Sequence, residues 1–363
     1  MEDVQPSEHR RPRGLLAGAL VVAVIGGVIG GVIADTISSP ATPAPSSATS
    51  PARCPVAKVA SADLPSVVTI HATNGSGGGT GSGEIIRSNG TILTNNHVVA
   101  PAVDGGALNV LLSNGRSLEA KLVGRDPQTD LAVIKVAGAG SLPSIPLGDS
   151  DTLAIGQPVI VLGAPLGLSS TVTSGIISAL DRTIEVPGEG TGSALLIDAI
   201  QTDAAINPGN SGGALVGCDG HLVGIPSAGA SLPSSSGEPS GSIGLGFAIP
   251  VNLAKRVSEE IIATGKVTHS YLGLQAEPLS TDPFTATGNR RGLLVDTVSS
   301  GGPAERAGLR VGDVIVTIGG KPAVSTDQLM ALTLSKRPGD RVPIGLRRDG
   351  KEMSITVTLA ART

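Results

Sequence analysis

Gly209-Asn210-Ser211-Gly212-Gly213-Ala214-Leu215 sets a serine inside a glycine-rich turn. A serine hydroxyl holds its proton near neutral pH and becomes a nucleophile only beside a base. Two motifs upstream supply candidates: Thr94-Asn95-Asn96-His97-Val98-Val99 and Thr129-Asp130-Leu131-Ala132-Val133-Ile134. An imidazole can take the proton, and a buried carboxylate can hold that imidazole in the right tautomer. Gly209, Gly212 and Gly213 let the backbone turn sharply, bringing the amides around Asn210, those of Gly209 and Ser211, towards one point. Such donors form an oxyanion hole, each worth about 3 kcal/mol of barrier. His97, Asp130 and Ser211 are therefore the candidate base, orienting acid and nucleophile, and Gly209, Asn210 and Ser211 the candidate oxyanion hole.

Working outward, His97 follows the strand-like run Thr91-Ile92-Leu93 and precedes Val98-Val99, so it is expected at a strand's end. Asp130 opens a β-branched run, Leu131 to Val136. Asp126 is its close rival but precedes Pro127 in what reads as a turn. His9, His71, His221 and His269 have no partner at metal-ligand spacing, so no metal site and no cofactor are expected. The run Gly77-Gly78-Gly79-Thr80-Gly81-Ser82-Gly83 lacks the Gly-Lys-Ser/Thr ending of a phosphate loop and reads as a glycine-rich hairpin. The order His, Asp, Ser is that of chymotrypsin-type enzymes, not of subtilisins or α/β-hydrolases.

These residues carry a resemblance. With Gly81-Ser82-Gly83, Thr173-Ser174-Gly175-Ile176-Ile177-Ser178, Gln201 to Pro208 and Gly246-Phe247-Ala248-Ile249-Pro250, the chain resembles serine proteases of the high-temperature-requirement A (HtrA, Deg) family. The likeness runs from about residue 59 to the C-terminus. It implies a peptide-bond hydrolase acting on unfolded or misfolded extracytoplasmic proteins. It also implies a mostly-β fold: a chymotrypsin-like pair of six-stranded barrels over residues 58–250, then a PDZ domain.

Composition agrees with export. The net charge is −4 with no basic block beyond the N-terminus, so nucleic acid is not an expected partner. Residues 15–34 are uninterrupted apolar or glycine residues. As a helix at ~1.5 Å per residue they match a bilayer core of about 30 Å. Arg10, Arg11 and Arg13 precede the run, and the next basic residue is Arg53. The positive-inside rule places residues 1–13 in the cytoplasm, an anchor at 14–37 and the rest outside the cell membrane. A cleaved signal peptide is the alternative, since Val32-Ile33-Ala34 resembles a cleavage site. Residues 38–57, rich in Pro, Ser, Thr and Ala, read as a tether. The only cysteines are Cys54 and Cys218. An oxidising compartment favours their pairing, with two separate thiols as the alternative.

Short β-rich segments between glycine turns fill residues 58–250, and Leu253, Val257 and Ile261 then recur every four positions. That predicts a connecting helix over 251–265, stopped by Gly265. Residues 266–363 resemble a protease-associated PDZ domain, with Asp349-Gly350 as a hairpin turn. In that resemblance Tyr271, Leu272, Gly273 and Leu274 form the loop that grips the C-terminus of a peptide added to a sheet edge. The resemblance also makes Ala205, six residues before the nucleophile, the floor of the primary pocket. Ile206 and the segment from Gly224 to Ala228, with Gly224, Ile225 and Pro226 foremost, line it, favouring small aliphatic side chains. Pro226 stands where family members usually carry Asn. A homotrimer is implied too, although the aromatic residues that pack family trimers are missing from residues 1–246. Segments 166–171 and 187–193 resemble activation loops that a PDZ ligand would switch. An inactive peptide-binding scaffold and a holdase are the competing classes; intact His97, Asp130 and Ser211 argue against the first.

Overall fold

The computed structural model describes residues 54–362, except 75–76, 104, 139, 165–170, 188–192, 230–241 and 280–290. The expected tail and anchor at 1–37, nearly all of the 38–57 tether and most of the two expected activation loops lie outside the described residues. Among the described residues no helix is long and apolar enough to cross a membrane.

The glycine run at 77–83 is strand. β1 (Val67–Asn74) and β2 (Gly77–Arg87) pair antiparallel from Val67↔Glu84 to Asn74↔Gly77. With β3 (Thr91–Thr94), β4 (Ala107–Leu111), β5 (Ser117–Asp126) and β6 (Leu131–Val136) they close a barrel in the order β1-β2-β3-β6-β5-β4. A Cβ on Gly81 would lie 2.5 Å from Val98, so glycine there lets the chain after β3 fold onto β2. That chain is a helical turn, α2 (Asn96–Val99), which puts His97 just past the end of β3, as expected.

The second barrel holds β7 (Pro158–Gly163), β8 (Thr171–Pro187), β9 (Ser193–Thr202), β10 (Ala214–Gly217), β11 (Leu222–Gly229) and β12 (Gly246–Pro250). Its order is β10-β11-β12-β9-β8-β7, and it too is closed. Leu93, Leu131 and Val133 of the first barrel meet Ile160, Leu162 and Val216 of the second in one core. Each such aliphatic side chain contributes about 1.5–3 kcal/mol on burial. Helix α1 (Val56–Asp63) adds Val59 and Ala60 to this core. The preceding Cys54 is disulfide-bonded to Cys218, which follows β10.

Helix α3 (Val251–Thr264) carries the expected apolar stripe and ends at Gly265, whose φ of 79° forms a left-handed cap. Beyond it come β13 (Ser270–Tyr271), β14 (Leu274–Pro278), β15 (Leu293–Val298), α4 (Pro303–Arg306) and β16 (Val314–Ile318). β17 (Lys321–Pro322), α5 (Asp327–Ser335), β18 (Arg341–Arg348), β19 (Lys351–Thr358) and β20 (Ala360–Ala361) complete the unit. The sheet runs β14-β15-β16-β18-β19, while β13 pairs with β20. Asp349 (φ 48°) and Gly350 (φ 77°) make the two-residue turn between β18 and β19. Arg348 forks onto the buried Asp313 at 2.6 and 2.7 Å. Burial pushes that carboxyl up, but the Arg348 fork, the Arg310 amide and both arginine charges prevail and hold it below its ordinary value. The unit docks on the second barrel through Leu334 of α5, which packs with Leu195 and Ile197 of β9.

Candidate active site

His97 leaves the end of β3 on α2, and Asp130 sits immediately before β6 with a φ of 55°. The His97 Nδ1 lies 3.0 and 2.9 Å from the two Asp130 carboxylate oxygens, and the His97 backbone N–H donates to Oδ1 at 3.0 Å. A carboxylate only accepts, so Nδ1 carries the proton and Nε2 keeps a free lone pair. The side chain of Asp130 is 4% exposed and that of His97 38%, which shields the acid and leaves the base open to a substrate. The Asn95 amide and the Asn96 N–H both donate to the Asp130 carbonyl, at 2.9 and 3.1 Å.

Ser211 is brought to this pair by Ser82 of the first barrel. The Ser82 N–H donates to the Ser211 carbonyl (2.9 Å), and its hydroxyl donates to the Gly209 carbonyl (2.6 Å). The two barrels approach so closely that a Cβ on Gly212, whose φ is 78°, would lie 2.3 Å from the Ser82 carbonyl oxygen. Gly209 also has positive φ (96°). Among the described residues neither the Gly209 nor the Ser211 amide donates a backbone hydrogen bond. Asn210 differs from expectation: its N–H is spent on the Asn207 carbonyl (3.0 Å), so it serves the turn and not the hole.

Ser227 was not singled out by its sequence. Its hydroxyl donates to Asp130 Oδ2 at 2.6 Å, and its carbonyl accepts the Ser211 hydroxyl at 3.3 Å. It lies at a bulge in the β11–β12 ladder between Pro226 and Ala228, where the ladder tolerates a proline without N–H. Only its neighbourhood of short β-rich sequence hinted at this role.

Of the residues expected at the pocket, Ile206, Gly224, Ile225 and Pro226 are buried. Ile225 is fully buried in the inter-barrel core, and a Cβ on Gly224 would meet Ile200 and Ala248. Pro226 is buried as well, and its carbonyl accepts the Gly212 N–H at 2.9 Å. Ser227 aside, β11 is apolar, and it is buried from Leu222 to Ser227, leaving Ala228 and Gly229 at its more exposed end. Ile206 packs beneath the glycines of β11 and β12: a Cβ on Gly246 would lie 2.6 Å from its Cδ1, and one on Gly229 2.7 Å from its carbonyl oxygen. The half-buried Ala205 turns its carbonyl to Thr173 Oγ1 (2.9 Å).

Tyr271 ends β13 and Leu274 opens β14, with Leu272 and Gly273 between them. Gly273 has a φ of 80°, Leu272 is buried, and the Tyr271 hydroxyl donates to Ser299 Oγ at 2.6 Å. β14 stands at the end of its sheet, with one side unpaired among the described residues. Asp126 does not approach His97; it pairs with His269 at 2.8 Å. No group of three His, Cys, Asp or Glu side chains among the described residues is placed to hold a metal ion.

Residues 81–225 match the trypsin-like peptidase domain family, and residues 270–359 the PDZ domain family. The chain is 43% identical over 312 residues to "Serine protease PepD" of Mycobacterium tuberculosis, covering 84% of this chain and 66% of that relative. It is 39% identical over 288 residues to "Periplasmic pH-dependent serine endoprotease DegQ" of Escherichia coli, covering 78% of this chain and 60% of the relative. The chain thus spans somewhat under two-thirds of the length of these curated relatives. Among solved structures, "HtrA-type protease AlgW with tripeptide" superposes with a TM-score of 0.66 at 39% identity, covering 85% of this chain and 97% of the other. With its paired barrels, its His97–Asp130 contact beside Ser211 and its PDZ unit, the chain belongs to the HtrA-type serine protease family.

Proposed function

We propose that the chain is an exported serine endopeptidase that cleaves unfolded or misfolded polypeptides through an acyl-enzyme on Ser211. One observation carries the reading: Ser227 joins the His97–Asp130 pair to the Ser211 hydroxyl, donating to the acid and accepting from the nucleophile. For reaction the Ser211 hydroxyl turns from the Ser227 carbonyl to His97 Nε2 and gives up its proton as Oγ attacks the substrate carbonyl carbon. The carbonyl electron pair moves onto oxygen, where the Gly209 and Ser211 amides stabilise it. His97 then protonates the departing amine as the C–N bond breaks, and water releases the acyl group by the same route.

On the family resemblance Ile206, packed against Gly229 and Gly246, would line the primary pocket and suit small aliphatic side chains before the cut. The loop 271–274 and the unpaired side of β14 would take the C-terminus of a peptide as an added strand. Switching of segments 166–171 and 187–193 by such a peptide, and assembly as a homotrimer, rest on the family resemblance.

Export is supported by the apolar run at 15–34 with its preceding arginines, and by the Cys54–Cys218 disulfide, which suits an oxidising compartment. On this reading residues 14–37 anchor the protein in the cell membrane with the protease and PDZ units outside. Release after Ala34 would give a secreted form.

The test is cleavage of reduced casein by the purified full-length protein beside its Ser211→Ala variant. Fragments are expected from the parent alone; equal fragmentation by both, or none by either with C-terminal peptides added, would overturn the proposal.

A further inference from the structure

Asp126 closes β5 and Leu131 opens β6, and the two are ladder partners across the tight turn 127–130. Asp130, the last residue of that turn, has a φ of 55°. For a residue with a side chain this is a sparsely populated backbone state, held only when its surroundings fix it. Asn95, Asn96, His97 and Ser227 hold Asp130 directly, and the Asp126 carboxylate fixes the turn that leads into it. That carboxylate accepts the Thr129 hydroxyl at 2.5 Å and the Gln128 N–H at 3.3 Å, so it grips the residue immediately before Asp130.

The remaining contact on Asp126 comes from far away in sequence. His269 Nε2 lies 2.8 Å from Asp126 Oδ1, with His269 8% and Asp126 4% exposed. Since the carboxylate accepts, Nε2 carries the proton; the other ring nitrogen, Nδ1, is buried and has no partner among the described residues. The ring is thus committed to a single hydrogen bond. His269 is also fixed from behind: its carbonyl accepts the Arg362 N–H at 3.0 Å, and the next two residues, Ser270 and Tyr271, pair with Ala361 and Ala360. Tyr271 begins the loop that would hold a peptide C-terminus.

We propose that His269 and Asp126 are positioning residues for the reaction, a pin through which the PDZ unit holds the turn carrying Asp130 and so aligns His97. The proposal rests on the triad reading above. Backbone of the C-terminal strand holds His269, His269 holds Asp126, Asp126 holds Thr129, and Thr129 delivers Asp130 to His97. Movement of β13 against the barrel draws His269 from Asp126 and loosens the turn while leaving the substrate slot untouched. The effect therefore falls on turnover and not on substrate affinity.

The experiment compares full-length parent, His269→Leu, His269→Gln and Thr129→Val for kcat and KM on an unfolded protein, and for the downfield NMR signal of the His97 Nδ1 proton. Loss of one hydrogen bond to a charged group is expected to lower kcat in His269→Leu by about tenfold or more, with KM changed by less than about twofold. The downfield signal should broaden or vanish with it. Glutamine can still donate to Asp126, so His269→Gln should return most of the rate and the signal. Unchanged kcat in His269→Leu, or a glutamine variant as impaired as the leucine one, would overturn the proposal. Thr129→Val breaks the same grip from inside the turn and decides the matter if His269→Leu does not fold. Asp130→Asn and Ser211→Ala are measured alongside: if these retain turnover, the triad reading has failed and not merely the pin.

Discussion

Ser227 donates its hydroxyl to Asp130 across the junction of the two barrels, at 2.6 Å. The carboxylate that orients His97 in the first barrel is thereby registered against the barrel that carries Ser211. Ser227→Ala keeps the carbonyl facing Ser211 and deletes only the bond to Asp130. A hydrogen bond to a charged group is worth about 1.5–3 kcal/mol, so kcat/KM should fall between about tenfold and a hundredfold. Steady-state kinetics on one peptide substrate checks this, and an unchanged value would remove Ser227 from the machinery.

Ile206 should set the size of the side chain accepted before the cut. Its Cδ1 occupies the space that a Cβ on Gly246 would enter. Ile206→Ala empties that space, and cut sites mapped by mass spectrometry should spread from Ala and Val towards Leu and Phe. A cut-site pattern identical to the parent's would place the pocket elsewhere.

Glu84 lies within the first barrel at 0% exposure, and neither carboxylate oxygen has a partner among the described residues. Burial pushes this carboxyl well above its ordinary value of 4.5. The folded protein then holds a proton that the unfolded chain releases, and stability declines as pH rises from the unfolded value towards the folded one. Glu84→Leu removes the titration. Its melting temperature should exceed the parent's at neutral pH, by a margin that shrinks as pH is lowered towards 4.5. A margin independent of pH would show that Glu84 does not titrate with folding.

The Cys54–Cys218 disulfide closes a loop with a sequence separation of 164 and holds α1 to the second barrel. Replacing both cysteines by serine should lower unfolding free energy by as much as about 5 kcal/mol on the chain-entropy account. The fold should survive, since Val59 and Ala60 still pack into the core. Denaturant titrations of the two proteins measure the difference; coincident midpoints would deny the bond a stabilising role.

Much of this was legible in the sequence because the signals were local. The His97, Asp130 and Ser211 motifs, the glycine hairpin, the Gly265 stop and the Asp349-Gly350 turn each depend on residues within a few positions of one another. What escaped depends on distance or facing. His269 reads as a bland residue at a domain junction because its partner Asp126 is 143 positions away. Ser227 escapes because its aim is set by a bulge that sequence alone does not mark. Which residues of β11 face a substrate is not legible either, because a strand buried on both faces lacks the alternation that separates inside from outside. Asp130 is preferred over Asp126 from the sequence, but that Asp126 also holds a histidine shows only in three dimensions.

In the proposed mechanism Ser211 is activated by His97 and Asp130. The most direct test of this is to treat the full-length protein with a fluorophosphonate, which acylation-competent serines attack, and to map the adduct by peptide mass spectrometry. One adduct is expected, on the peptide carrying Ser211, formed far more slowly in Asp130→Asn. An adduct on another residue, or labelling of Ser211 at the same rate in Asp130→Asn, would contradict that mechanism.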